Sequence, residues 1–405
     1  MDVLLVGAGA REHALAWALR RSPSCGALHA APGNPGIARL ADCHPVAPED
    51  TEAILELARS LGAGLVVIGP EAPLVAGLAD TLRRGGVPVF GPSAAAARIE
   101  GSKAFAKDVM EAAGVPTAKR LTVPVAPCVV KADGLAAGKG VVVCRTQAEL
   151  EAGLEAVRAF GEDVVVEELL EGPEVSLLAL CDGRNAIALP LAQDFKRAYD
   201  GDEGPNTGGM GSFAPASGPG AGDTEALLNL AIRPVLTELA RRGTPFTGTL
   251  FAGLMLTPSG PRVLEYNCRF GDPETQSVLP LVEGDLLAAL AAAAAGDLGG
   301  AALGVATGAA VTVVLAAGAY PERGDRGTPI EGIAEAEATG ALVFHAGTAL
   351  VGGRLVTNGG RLLAVTARGA NVAAAREAAY RAASLVRIDG SRRREDIADP
   401  VVRVR

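Results

Sequence analysis

The sequence is short of lysine. Of its 37 basic residues only six are Lys (Lys103, Lys107, Lys119, Lys131, Lys139 and Lys196), all between positions 103 and 196; every other basic residue is Arg. Two readings of this scarcity stand. Either a coding bias favours Arg, or Arg serves wherever a cation need only be charged and Lys is kept where a compact, flexible ammonium is required. The chain also lacks an excess of positive charge. Its 37 basic and 46 acidic residues leave a net charge of −9, which argues against a general nucleic-acid or polyanion binder and confines any anion site to a local patch.

Cysteine and histidine are equally sparse. The six Cys (Cys25, Cys43, Cys128, Cys144, Cys181 and Cys268) are dispersed and include no C-x-x-C pair. Neither a disulfide framework nor a thiolate zinc site is expected, and a reducing cytoplasm is the natural setting. The four His (His13, His29, His44 and His345) include no H-E-x-x-H, which disfavours a zinc hydrolase and leaves oxygen donors for any metal. Met1–Gly7 has no basic leader and reads as a first strand, not a signal peptide. The one membrane candidate, 24 uncharged residues between Asp297 and Glu322, is interrupted by five Gly, and its apolar content is largely Ala; Val311–Leu315 within it reads as a buried strand. What is present is a chain of 405 residues, 49% apolar, long enough for two to four domains with a large core.

Short apolar runs at Val3–Val6, Leu28–Ala31, Leu65–Ile68 and Val87–Phe90 alternate with helical patterns such as Arg11–Arg21 and Glu52–Leu61. This βαβ rhythm predicts a parallel, Rossmann-like sheet with a ligand crevice at the strand C-termini. The middle is mixed α and β. It reads as helix (Ser102–Ala113), strands (Cys128–Lys131, Gly140–Cys144), helix (Ala148–Phe160), strands (Val164–Glu167, Glu174–Cys181), a Gly-rich loop (Gly201–Gly211), one helix (Thr224–Arg242) and strands around Leu250–Leu256 and Arg262–Tyr266. The last hundred residues, with Gly-rich turns and a helix at Asn371–Ser384, suggest a small α+β unit.

Several segments carry chemistry. Gly7-Ala8-Gly9-Ala10-Arg11-Glu12 begins like a dinucleotide fingerprint but has Glu12 at the third Gly position, and no acid ends the second strand. Such a turn still offers backbone N–H groups to an anion, with Arg11 as a bidentate phosphate partner. Lys131-Ala132-Asp133-Gly134-Leu135-Ala136-Ala137-Gly138-Lys139-Gly140 joins two strands through a loop whose Gly residues let backbone N–H groups approach phosphate oxygens between two cations. Glu167–Glu174 reads as a hinge or a surface turn; as a hinge its backbone reads an adenine edge, its Leu packs on the ring and Glu174 accepts from ribose hydroxyls. Glu265 and Asn267, two apart in a strand, point to one face, and their oxygens suit Mg²⁺ shared with phosphates. Arg269 continues the alternation toward the phosphate being transferred. Gly204–Gly211, preceded by Asp194, Lys196 and Arg197, is too rich in Gly for a packed element and reads as a loop for close approach.

In this order the residues resemble the ATP-grasp enzymes, and within them the phosphoribosylamine–glycine ligase family. The resemblance is carried by G-A-G-A-R-E-H (Gly7–His13), A-P-G-N-P-G (Ala31–Gly36), G-P-E-A-P-L (Gly69–Leu74), G-S-K-A-F (Gly101–Phe105), the Lys131–Val141 segment, G-P-N-T-G-G-M-G (Gly204–Gly211), E-Y-N-C-R-F-G-D-P-E-T-Q (Glu265–Gln276), F-H-A-G-T (Phe344–Thr348) and T-N-G-G-R (Thr357–Arg361). It spans essentially the whole chain. It implies an N-terminal Rossmann-like domain (1–102), an ATP-grasp domain (103–305, lid about 117–181) and a C-terminal α+β domain (306–405). The implied reaction joins glycine to 5-phosphoribosylamine through glycyl phosphate, using ATP and Mg²⁺ or Mn²⁺, in a cytoplasmic monomer that binds neither nucleic acid nor membrane.

The resemblance also implies roles. Arg269, Lys131 and Asp272 are catalytic. Lys103, Lys131, Gly134, Gly138, Lys139, Gly140, Glu167, Glu168, Leu170 and Glu174 bind the nucleotide. Glu265 and Asn267 are the metal ligands. Gly9, Arg11, Glu12, His13, Asn34, Asp194, Lys196, Thr207, Gly208, Gly209 and Met210 bind the amine and glycine. The chain departs from the family pattern at Phe195, where His is usual, in short segments at Leu121–Cys128 and Phe160–Val164, and in the tail after Ile397. The alternatives are a sister ATP-grasp carboxylase or ligase and, from another class, an NAD-dependent oxidoreductase built on the first domain.

Overall fold

The computed structural model describes residues 1–135, 140–161, 163–216 and 224–399. Gly138, Lys139 and the last six residues of the tail lie outside them.

The N-terminal apolar runs form a five-stranded parallel sheet ordered Asp42–Cys43, Leu28–Pro32, Val3–Gly7, Leu65–Ile68, Val89–Phe90. The order reverses at Val3–Gly7, so the crevice at this switch point opens beside Gly7–Gly9. Val3–Gly7 is buried on both faces, which explains its unbroken apolar run. Helix Thr51–Ser60 is capped by Asp50, whose carboxylate accepts from the Ala53 N–H at 3.1 Å.

Among the described residues the middle contains two antiparallel sheets of three or more strands. One is the small lid, ordered Val141–Cys144, Cys128–Ala132, Val164–Glu168 and backed by helix Gln147–Arg158. The other is ordered Ala186–Ala188, Glu174–Asp182, Thr247–Thr257, Gly260–Asn267. Helix Lys103–Ala112 packs on the second sheet through Val109 and Met110. The helix expected over Thr224–Arg242 is broken. Thr224–Leu227 and Arg233–Arg241 are α-helical, and a π turn, Leu228–Ile232, joins them. Pro234 has no N–H to give the Leu230 carbonyl, and the wider turn absorbs the gap. The Gly201–Gly211 loop is also partly regular: Glu203–Asn206 pairs with Arg197–Tyr199 as a hairpin.

A third sheet, centred on Ala309–Ala317 and Arg361–Gly369, belongs to the C-terminal region, with helix Val372–Ala383 against it. It extends across the expected boundary at 305, because Gly211–Ala214 pairs with Ala309–Ala317 and Gln193–Asp194 pairs with Gly211–Ala214. The segments around Asp194 and Gly208 are therefore built into the C-terminal sheet. Among the described residues no helix is long and apolar enough to cross a membrane, and all six Cys are free thiols.

Candidate functional site

Strand Gly260–Asn267 carries Glu265 and Asn267 on one face, as its alternation requires. Its register with Thr247–Thr257 shifts between Glu265 and Val263, leaving Leu264 without a partner. The Leu264 carbonyl instead accepts from Lys131 Nζ at 3.0 Å. Lys131, at the end of the lid strand Cys128–Ala132, also meets Glu167 Oε2 at 2.7 Å. Lys103 begins its helix and donates to the Gly134 carbonyl at 2.8 Å. The start of that helix is held by Asp133, which accepts from Ala104 N at 3.2 Å and Ser102 Oγ at 3.1 Å. The lid loop is thus tied to the helix through an acid at a helix N-terminus.

Lys196 faces the same space. Its Nζ bonds Glu174 and lies 3.9 Å from Glu265. Burial works against its charge, yet Glu174, Asp194 and Glu265 hold its pKa well above the ordinary lysine value. Burial likewise works against the Glu265 carboxylate, but Lys196, Lys131, Lys103 and Arg269 hold it below its usual range. Glu265 is therefore an anion at neutral pH inside a ring of cations. Beside it, burial pushes the Asp194 carboxyl well up, with Glu274, Glu174 and Glu265 adding to the rise and Lys196 opposing it. Glu265 and Asn267 present a carboxylate and an amide oxygen together, a hard donor pair that suits Mg²⁺ completed by phosphates and water.

Arg269 is fixed by Glu71 Oε2 and Glu100 Oε1, each at 3.3 Å, and by Asn267 Oδ1 at 3.3 Å. These acids raise its pKa above the ordinary arginine value against the effect of burial. The Cys268 N–H donates to Glu100 at 2.7 Å. A guanidinium so clamped is held in one orientation. Sequence reasoning missed Glu71 and Glu100. Glu71 lies in the quoted G-P-E-A-P-L segment, whereas Glu100 left no signal beyond its place before Gly101.

The neighbouring space joins the N-terminal, middle and C-terminal regions. Asp272 accepts from Arg361 at 3.0 Å and from Gln276 Nε2 at 2.7 Å. Arg361 also bonds the carbonyls of Gly208 and Asp272, and Tyr320 accepts from the Gly208 N–H at 2.9 Å. Gly209 has φ +104°, and a Cβ there would lie 2.3 Å from Pro273 Cδ, so only Gly fits. Thr207 Oγ1 donates to the Lys196 carbonyl at 2.8 Å and accepts from Gly209 N at 2.9 Å. Arg361 was visible in T-N-G-G-R, though not its reach to Asp272. Gly9 faces Asp272: a Cβ there would stand 3.9 Å from Oδ2.

Other expected site residues are placed differently. Glu12 is 2% exposed and sits among Gly7, Gly9 and Gly69, its Oε2 accepting from the Gly9 N–H at 2.6 Å. It occupies the helix N-terminus that the turn was expected to offer to an anion. Arg11 is turned inward, to Glu12 at 2.6 Å and to the Phe270 carbonyl at 3.3 Å. His13 Nδ1 accepts from the His345 N–H at 2.8 Å. Asn34 bonds Ala8 O and His345 O at 2.8 Å and the N–H groups of Gly36 and Ile37 at 2.9 Å, using its whole amide inside the protein. The Met210 side chain is buried in the C-terminal core. Glu168 and Leu170 line a hinge cleft of about 580 Å³, where Arg262 bridges Glu168 at 3.2 Å. Glu167 instead turns to the lysines.

Phe195 answers the question its identity raised. Asp194 and Lys196 face the cluster, whereas Phe195 is buried in the C-terminal core against Phe213, under the Arg394 guanidinium 5.1 Å from its ring. Arg394 is itself buried on Asp396 at 2.7 Å. Phe195 therefore packs beside the Arg394–Asp396 pair that precedes the divergent tail.

Comparison with known proteins agrees with this geometry. Three family profiles match in order: phosphoribosylglycinamide synthetase N domain (residues 1–100), ATP-grasp (A) domain (101–275) and C domain (310–400). A phosphoribosylamine–glycine ligase of Streptomyces coelicolor is 52% identical over 98% of this chain and 99% of its own length. One of Pseudomonas aeruginosa is 45% identical over 98% and 97%. The crystal structure of a Thermotoga maritima phosphoribosylamine–glycine ligase superposes with TM-score 0.83 at 35% identity, covering 98% of this chain and 100% of that one. A biotin carboxylase domain from Hydrogenobacter thermophilus shares the fold, with TM-score 0.71 at 19% identity over 96% and 91% of the two chains. The chain belongs to the phosphoribosylamine–glycine ligase family of ATP-grasp enzymes of purine biosynthesis.

Proposed function

We propose that the chain joins glycine to 5-phosphoribosylamine at the expense of ATP, giving glycinamide ribonucleotide, ADP and phosphate. The observation that carries this reading is the cation ring of Lys103, Lys131, Lys196 and Arg269 around Glu265, opening beside the three-way junction at Asp272. Lys103 and Lys131 take up phosphate charge beside Gly134. Glu168 and Leu170 line the adenine side and Glu174 the ribose. Arg269 stabilises the γ-phosphoryl group as it passes to the glycine carboxylate, which becomes glycyl phosphate. Asp272 and Asp194 hold the amines, with Gly9 and the Thr207–Gly209 loop closing round them. The phosphoribosylamine nitrogen then attacks the activated carbonyl, and phosphate leaves.

Glu265 and Asn267 would hold Mg²⁺, or Mn²⁺, which when bound would neutralise phosphate charge. Fixing an amine against an acyl phosphate is worth roughly 7–11 kcal/mol, and closure spares that intermediate from water. Asn34, whose amide is taken up internally, and His13, whose Nδ1 accepts from the His345 N–H, shape the first domain's loops in this reading instead of touching substrate. We assign residues 1–102 to the first domain, 103–305 to the ATP-grasp domain with its lid at about 117–181, and 306–405 to the last, in a chain that acts as a cytoplasmic monomer. ADP release requiring both glycine and phosphoribosylamine tests the proposal; release with bicarbonate or formate in place of glycine would favour a sister enzyme. Glu12 already takes the Gly9 N–H at that turn, which disfavours the oxidoreductase reading.

A further inference from the structure

Lys107 belongs to no phosphate motif, yet its side chain is 0% exposed, in the body of helix Lys103–Ala112. A buried ammonium is tolerated only when fully partnered. Its partners come from the two chain crossings between core and lid. On the outgoing segment, Thr117 Oγ1 accepts at 2.9 Å and the Ala118 carbonyl accepts as well. On the returning lid strand, Glu167 Oε1 lies 2.8 Å away. Thr117 Oγ1 in turn donates to the Val263 carbonyl at 2.7 Å, fastening the same point to the core strand that carries Glu265. The other oxygen of Glu167 holds Lys131, at 2.7 Å. One carboxylate is thus shared by two ammoniums, and the trio carries a net charge of +1.

The two lysines differ in access. Lys107 is sealed, whereas Lys131 stands among the phosphate-binding cations. We infer that Lys107 is a positioning residue for nucleotide binding: it is the fixed counter-ion of Glu167, and so releases the Lys131 ammonium to the triphosphate while pinning both hinge crossings. With Lys107 in place, Lys131 exchanges Glu167 for a phosphate oxygen and leaves no bare buried carboxylate. Without it, that move strips Glu167 of its last cation, a costly state in a buried site, and Lys131 is held back. This rests on the ATP-using reading of the site.

The test is calorimetric, on the full chain, with ATP and with adenosine as separate probes. Lys107→Met is expected to weaken ATP by about tenfold or more while adenosine changes by less than about threefold. A general loosening of the hinge would weaken both alike, because both ligands use the adenine cleft. Equal losses for the two probes, or no loss for ATP, would overturn the inference. Should Lys107→Met not fold, Lys107→Met/Glu167→Gln buries no unpaired charge and restores the net +1. Its ATP-to-adenosine affinity ratio is expected within about threefold of the unaltered chain, and a ratio lower by about tenfold overturns the inference. The readout is binding, so a chain that binds ATP but releases no ADP with glycine and phosphoribosylamine would remove the ligase proposal without deciding this one.

Discussion

At the scale of single residues, the lysines divide by what their ammonium touches. Lys103, Lys131 and Lys196 each reach a lid carbonyl or a site carboxylate through one compact group, a geometry that a planar guanidinium does not reproduce. Lys131→Arg is therefore expected to lower turnover by about 10²–10³-fold with the fold intact; near-normal turnover in a steady-state assay would refute the point-charge role. These positions were legible because Gly-rich loops and strand alternation leave a mark in sequence. Lys107 was not, since Glu167 is distant along the chain and Thr117 meets it only through the turn of the segment that follows its helix. Phe195 was legible as a departure but not in its consequence, which depends on which face of the segment it occupies.

At the scale of elements, most strands and helices followed from periodicity, and the structure adds the caps, Asp50 before helix Thr51–Ser60 and Asn371 before helix Val372–Ala383. The failures have local causes. Pro234 breaks a pattern that otherwise reads as one helix, and the hairpin within the Gly-rich segment needs a partner strand that composition does not reveal. The most informative element is the Thr207–Gly209 turn, held to the Asp272 turn by one arginine that reaches the carbonyls of Gly208 and Asp272 and the Asp272 carboxylate. Lysine cannot span these acceptors. Arg361→Lys is expected to lower kcat/KM by about 10²-fold through misplacement of the turn, with a far smaller effect on ATP affinity. An equal loss in ATP affinity, read by calorimetry, would place Arg361 in the wrong part of the site.

At the scale of the whole molecule, the first and last regions meet at two histidines. Burial, together with the positive charge of neighbouring groups, lowers the pKa of His13 to about 3, and burial lowers that of His345 to about 4, from 6.5. Both are neutral in the folded chain, where His13 serves as an acceptor. Their contribution to stability is present above pH 6.5 and declines as pH falls from there toward about 4 for His345 and about 3 for His13, because the unfolded chain takes up protons that the folded chain refuses. Each contributes a slope of about 1.4 kcal/mol per pH unit inside that window. Thermal melts are expected to drop between pH 7 and 5, and His13→Asn, which keeps an acceptor and loses the titration, is expected to flatten the fall. Unchanged melting over that range would contradict the burial of these rings. This contact was not legible, because the F-H-A-G-T segment and the first helix are more than 300 positions apart.

The central claim is that the cation ring and the junction beside it form one site for ATP, an amino acid and an amine. It is tested most directly by following ADP release with ATP, Mg²⁺, glycine and 5-phosphoribosylamine, and then omitting each substrate in turn. ADP formation is expected to need both glycine and phosphoribosylamine and to be lost in Arg269→Ala. ADP formation indifferent to either substrate, or undiminished in Arg269→Ala, would contradict it.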